Sequence, residues 1–75
     1  MFKCEYCGTS EWYKAESLFE AAARFIIDHP EIESSGETEP MILVVNTSYP
    51  YQMGNYPADL CRVEADYAVG LRERS

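Results

Sequence analysis

The residues best suited to chemistry in this chain stand near its start, in the stretch CEYCG. Two cysteines separated by two residues and followed by glycine supply two of the four ligands that a structural zinc ion takes. The sequence contains neither a second such pair nor a His-x-x-x-His pair, so a zinc site would need Cys4, Cys7, His29 and Cys61 to converge. The alternative is that Cys4 packs inward as a small apolar residue while Cys7 lies in a turn.

Nucleophilic catalysis is disfavoured by the same set of residues. A catalytic cysteine needs a base, and His29 is the only histidine in the sequence. His29 directly follows Asp28, and sequence neighbours do not orient each other as a catalytic dyad does. The sequence also has no glycine-rich phosphate loop, no His-Glu-x-x-His motif and no nucleophile elbow. We therefore expect a protein that is not an enzyme and that needs no cofactor.

The charge balance indicates the kind of partner. Thirteen Asp and Glu residues oppose six Lys and Arg residues, which gives a formal net charge of -7. This charge disfavours direct binding to nucleic acid or to an anionic membrane and favours a protein partner with a basic surface. No apolar run reaches the roughly 18 residues of a membrane span, and no signal peptide is evident. With three cysteines, an odd number, we expect a cytoplasmic protein.

Negative charge is concentrated in the middle of the chain, because no Lys or Arg occurs between Arg24 and Arg62. One interpretation is a solvated acidic loop. The other is an acidic surface that imitates the phosphates of a nucleic acid and competes for a basic groove. The residues assigned to that surface are Asp28, Glu31, Glu33, Glu37 and Glu39.

Three tyrosines form the second candidate binding feature. Tyr49, Tyr51 and Tyr56 alternate with Ser, Pro, Gln, Gly and Asn, a composition typical of binding loops. Tyrosine offers a large, rigid contact area at a low entropic cost, so these rings are candidate anchors for a protein partner. The alternative is that the rings fold back over an otherwise bare face of a sheet.

Periodicity predicts one small α+β domain over residues 1–75, with the order β-β-α-β-β. Ser17 and Glu20 form a capping box at the start of a helix, and Pro30 ends that helix near His29. One helix packs on one face of a mainly antiparallel sheet in this arrangement. The predicted strands are 2–7, 11–15, the apolar run 41–45 and a last strand that alternates over 62–72, after a loop over 48–60.

A single helix leaves one face of this sheet uncovered. Ile42 and Val44 lie on one side of their strand, whereas Met41, Leu43 and Val45 lie on the other. Whichever set misses the helix must be covered by a loop, a partner or a second copy of the chain. The sequence leaves a monomer and a homodimer both open.

The organisation resembles that of small phage-encoded proteins, and in particular the small anti-CRISPR inhibitors. The resemblance lies in size, acidity and element order, with residues 14–22, KAESLFEAA, leading from a strand into the helix. It implies an inhibitor encoded by a phage or mobile element that acts in the host cytoplasm. Its partner would be a CRISPR effector complex, bound at a nucleic-acid-binding surface. No binding residue is carried over from that group, because its members share no common sequence.

Overall fold

The computed structural model describes residues 1–32, 39–48 and 50–74, with side chains in the last helix described as far as Tyr67. The elements follow the order β-β-α-β-β-α, and together they form an α+β fold with one four-stranded antiparallel sheet. They are β1 (Phe2–Tyr6), β2 (Thr9–Tyr13), α1 (Leu18–Asp28), β3 (Met41–Asn46), β4 (Gln52–Pro57) and α2 (Ala58–Arg74).

The two cysteines of the CEYCG stretch have different structural roles. Cys4 is fully buried in β1, and Cys7 is exposed in the turn between β1 and β2. The turn has two residues, and both Cys7 (φ 47°) and Gly8 (φ 81°) have the positive φ that a type I′ hairpin turn requires. The predicted hairpin is confirmed, but the turn begins one residue earlier than predicted and ends two residues earlier.

The sheet has the strand order β2-β1-β3-β4, and its two faces differ in composition. The inner face carries the core residues Phe2, Cys4, Ile42 and Val44. Helix α1 packs across this face, and α2 packs against α1 and β4 on the same side. The prediction of a face that the first helix does not cover is confirmed, because the side chains between these core positions point outward. We call this second side the outer face.

The helix predicted from Ser17 to His29 is confirmed. The Ser17 hydroxyl accepts a hydrogen bond from the Glu20 backbone N–H (3.1 Å), as a helix N-cap does. The Glu20 carboxylate reaches back to the backbone N–H of Glu16 (2.8 Å), one residue before the predicted partner. At the other end, the His29 N–H closes the last turn on the Phe25 and Ile26 carbonyls, just before Pro30.

The predicted last strand over 62–72 is wrong, because this segment is helix α2. Alternation would place Val63 and Tyr67 in the core, yet both are exposed. The buried residues are Ala58, Cys61 and Ala65, at the i, i+3 and i+7 positions of one helix face. These side chains are small, so the helical stripe is weak in the sequence, and packing against α1 selects the helix. The sheet therefore carries two helices instead of one.

The predicted loop over 48–60 is also wrong in its second half, where β4 forms the sheet edge beside β3. Gly54 and Pro57 are residue types that favour a loop, but an edge strand tolerates both of them. Glycine has a packing role here, because a Cβ at Gly54 would lie 3.1 Å from the Tyr56 ring. That ring stacks on Phe19 of α1 with 5.3 Å between ring centroids. β4 is thereby held against the helix layer.

Candidate functional site

The C-terminal end of α1 brings together a set of side chains that the linear sequence keeps apart. The helix crosses the inner face so that Phe25 meets Tyr13 of β2 edge to face, with 6.3 Å between ring centroids. One turn later, the His29 ring packs on Phe25 at 4.4 Å. These contacts place the end of α1 over β2. We call the carboxylates gathered there, those of Glu11, Asp28 and Glu31, the acidic cluster.

The Tyr13 hydroxyl lies between two members of the acidic cluster. Its oxygen is 2.8 Å from Glu11 Oε2 and 2.7 Å from Asp28 Oδ2. A phenol carries one proton, so it donates fully to only one carboxylate at a time. Burial, followed by the hydrogen bonds to Asp28 and Glu11, raises the pKa of Tyr13 far above its usual range. The hydroxyl therefore stays protonated and bridges β2 to the end of α1.

His29 lies between two carboxylates in the same way. Its Nε2 is 3.4 Å from Glu11 Oε2, and its Nδ1 is 3.3 Å from Glu31 Oε1. A neutral imidazole donates from one nitrogen only, whereas an imidazolium donates from both. Glu11 thus faces both Tyr13 and His29, and it joins the two halves of the acidic cluster.

The arginine side chains near the acidic cluster make their contacts with other groups. Arg24 pairs with Glu20 one turn back on α1 (3.0 Å), and Arg62 of α2 donates to the backbone carbonyls of Pro30 and Ile32. The last turn of α1 has no basic residue. Among the described residues, no Lys or Arg forms an ion pair with the three carboxylates. A helix C-terminus is itself partially negative, so the three carboxylates add to the negative potential at this end of α1.

A small cavity of about 240 Å³ opens beside the acidic cluster, below the 300 Å³ or so at which ligand pockets begin. Cys7 and His29 both line this cavity. A cysteine and this histidine are the residue types that nucleophilic catalysis would need. Both imidazole nitrogens already face carboxylates, so the geometry does not direct His29 at the thiol. A hydrogen bond with the thiol also raises the pKa of Tyr6. The cavity is lined by Tyr6, Cys7, Thr9, His29, Glu31 and Ile32.

The predicted zinc ligands do not converge. Cys4 and Cys61 lie in the core, where burial raises their pKa values to about 12 and about 11. Cys7 and His29 line the cavity. Within the ranges that the structure describes, no group of three or more His, Cys, Asp and Glu side chains is arranged to hold a metal ion.

The predicted partner-binding residues fall into three groups. Asp28 and Glu31 come together in the acidic cluster, and the exposed Glu39 lies next to Pro40, whose carbonyl accepts the Ala58 N–H at the start of α2. Tyr51 is exposed, whereas Tyr56 is half-buried against Phe19 on the inner face. Neither ring covers the bare face of the sheet in the way that the alternative proposed. The remaining predicted residues, Glu33, Glu37 and Tyr49, lie outside the described residues.

Sequence reasoning missed Glu11 and Tyr13 as members of this site. The usable signal was their alternation with Trp12 in the predicted second strand, which places Glu11 and Tyr13 on one face. Only the path of α1 across the sheet shows that this face meets Asp28 and His29.

Comparison of the chain with protein-family models, with curated proteins and with solved structures finds no match. Among the residues that the structure describes, no helix is both long and apolar enough to cross a membrane.

Proposed function

We propose that this protein is a non-enzymatic, cytoplasmic protein-binding inhibitor whose acidic cluster engages a basic surface on its partner. The observation that carries the proposal is the convergence of Glu11, Asp28 and Glu31 at the negative end of α1, where no Lys or Arg among the described residues forms an ion pair with them. Acidic residues at a helix C-terminus reduce stability, and departures of this kind are expected where function requires them.

The proposed mechanism is electrostatic competition. The clustered carboxylates bind the Lys and Arg side chains that otherwise bind the phosphates of a nucleic acid. The negative potential also steers a basic partner toward the site and raises the association rate. In the narrowest form of the proposal, the protein is encoded by a phage or mobile element and blocks a CRISPR effector complex. Only the resemblance in size, acidity and element order supports that form.

The test uses two charge-reversal variants with the same change in net charge. E31K/E39K reverses Glu31 of the acidic cluster together with Glu39, which the sequence assigns to the acidic surface, and E16K/D66K alters exposed positions that belong to neither. Wild-type protein is immobilised, partners are captured from a bacterial lysate and eluted with a salt gradient, and the purified partner is then used for binding kinetics. We expect E31K/E39K to slow association roughly tenfold at low salt and to reduce its salt dependence.

Two controls make the result specific to the acidic cluster. E16K/D66K should leave the association rate within about twofold of wild type, because neither residue lies in the cluster. A nucleic acid that the partner binds should displace wild-type protein. Equal kinetics for both variants, or a partner indifferent to nucleic acid, would contradict the proposal. Circular dichroism confirms that each variant is folded.

A further inference from the structure

The outer face of the sheet carries a patch of apolar side chains, and no described element covers it. Its exposed hydrophobic side chains include Trp12 (51% exposed), Met41 (44%) and Met53 (59%), and Leu43 and Val45 are half-buried between them. Patches of this kind mark interaction surfaces, and Trp and Met are enriched there. The acidic cluster lies on the opposite side of the sheet, at the end of α1. The outer face therefore needs an occupant that the proposed function does not supply.

Strand register arranges the centre of the outer face in two rows. The first row has a positive charge at Lys3, and the second has a negative charge at Glu5. Lys3 and Glu5 are the charged residues among these eight positions, and they lie two residues apart on β1. Across the sheet, the first row is Trp12, Lys3, Val45 and Met53, and the second row is Ser10, Glu5, Leu43 and Asn55.

From this pattern we infer that two copies of the chain pack through their outer faces, with strands antiparallel, so that Lys3 of each copy faces Glu5 of the other. The two-fold axis of this dimer lies in the plane of the interface, runs perpendicular to the strands and passes at the level of Cys4. It places β1 of one copy over β1 of the other, with the two strands running in opposite directions. The first row of one copy then lies on the second row of the other. This places the large Trp12 ring over the small Ser10 and packs Val45 on Leu43, in the way that facing sheets interdigitate.

The charges select this arrangement over the other two-fold stacking. With the axis parallel to the strands, Lys3 of one copy would face the apolar Val45 of the other, and Glu5 would face Leu43. That stacking buries two charges in each copy without a partner, which is unfavourable. With the axis perpendicular to the strands, each charge faces one opposite charge, so the dimer has two Lys3–Glu5 pairs.

The net charge of -7 does not prevent this association. The acidic cluster of each copy lies behind its own sheet, and packed layers are roughly 10 Å apart. The two clusters are therefore separated by more than the Debye length of about 8 Å at physiological salt. Both clusters also remain accessible in the dimer, so a dimer presents two binding ends.

The size of the face sets the expected affinity. Four strands about 4.8 Å apart and five residues about 3.4 Å apart give roughly 300 Å² of projected sheet. A typical stable interface buries about 800 Å² per partner, so we expect only a weak, reversible dimer.

The test is a charge swap measured by sedimentation velocity from about 10 to 500 µM. K3E alone and E5K alone should each weaken the dimer roughly tenfold, because each places like charges opposite one another. K3E/E5K should restore the wild-type dissociation constant to within about threefold. An equimolar mixture of the two single variants should form heterodimers beyond the statistical share.

Trp12 supplies an independent readout, because it is the only tryptophan in the chain. Its emission should shift to shorter wavelength as wild-type protein is concentrated, and K3E should need a roughly tenfold higher concentration for the same shift. A wild-type protein that stays monomeric at 500 µM (about the upper limit of the series) would overturn the inference. So would single variants that dimerise as wild type does, or a double variant that fails to restore the dimer. These measurements use only this protein and not the basic partner. Their outcomes therefore do not decide the proposed function, which has a separate test.

Discussion

The hydroxyl oxygen of Tyr13 lies 2.7 Å from Asp28 Oδ2, and this contact joins the second strand to the last turn of the first helix. Fifteen positions separate the two residues in the sequence. The contact gives the acidic cluster a fixed position over β2, and it accounts for an Asp at a helix end where the macrodipole disfavours one.

Replacing Tyr13 with Phe tests what this contact contributes to stability. The ring keeps its edge-to-face packing on Phe25, while Glu11 and Asp28 lose their shared donor. The site is partly exposed, so we expect the free energy of unfolding to fall by about 1 kcal/mol in urea titrations. Tyr67→Phe is the matched control, since Tyr67 is 63% exposed, and it should change stability by less than about 0.5 kcal/mol. Equal effects would show that the bridge contributes nothing.

The turn at Cys7 offers a stabilising substitution. Cys7 has φ 47°, a conformation that costs a non-glycine residue energy, and Asn-Gly is the preferred pair for a type I′ turn. Cys7→Asn should therefore raise the free energy of unfolding by about 0.5 kcal/mol. Cys7→Ala has no such preference and should not raise it. A destabilised Cys7→Asn variant would mean that the thiol itself supports the fold.

Alkaline pH should destabilise the protein through its buried thiols. The pKa values of Cys4 and Cys61 rise from 9.0 to about 12 and about 11, so the folded state holds these protons more tightly than the unfolded state. Their contribution to stability is complete below pH 9 or so and is lost as pH rises toward 11 to 12. The free energy of unfolding should therefore fall from pH 8 or so to pH 10.5 or so. A Cys4→Ala/Cys61→Ala variant should show a shallower fall, and an identical slope would contradict this account.

A pair of substitutions separates helix from strand over the last element. Val63 is 67% exposed and Ala65 is 3% exposed in α2, whereas alternation in a strand would bury both. Val63→Asp should change the free energy of unfolding by no more than about 0.5 kcal/mol. Ala65→Asp places a charge in the core and should cost about 3 kcal/mol or more, seen as loss of the cooperative thermal transition. If both variants were equally damaging, the segment would be a strand.

Local rules were sufficient for the first helix and for the first three strands. The Ser17 cap, the apolar stripe and Pro30 define α1 within the chain itself. The run over 41–45 was apolar enough to identify β3, which extends to Asn46. The packing of Cys4 as a small core residue, and the position of Cys7 in a turn, were also predicted as the alternative to a zinc site.

Two elements could not be identified from local patterns because their signals conflict. The segment after Pro57 alternates as a strand does, yet its small residues Ala58, Cys61 and Ala65 also match a helix, and contact with α1 settles the choice. By residue type alone, Gly54 favours a loop. In the structure it lies in a strand, and the Tyr56 ring fills the space that a side chain at this position would need.

The sequence by itself determined the charge of the protein, its main helix and the existence of an uncovered apolar sheet face, because each of these follows from residue types and their local spacing. The tertiary structure alone decided which residues form the acidic cluster. Glu11 and Tyr13 meet Asp28 and His29 only through the path of α1 across the sheet. Strand register likewise decided the neighbours of the two charged residues on the outer face. Lys3 lies between Trp12 and Val45, and Glu5 lies between Ser10 and Leu43. Contacts between distant segments depend on how whole elements pack, which no local pattern specifies.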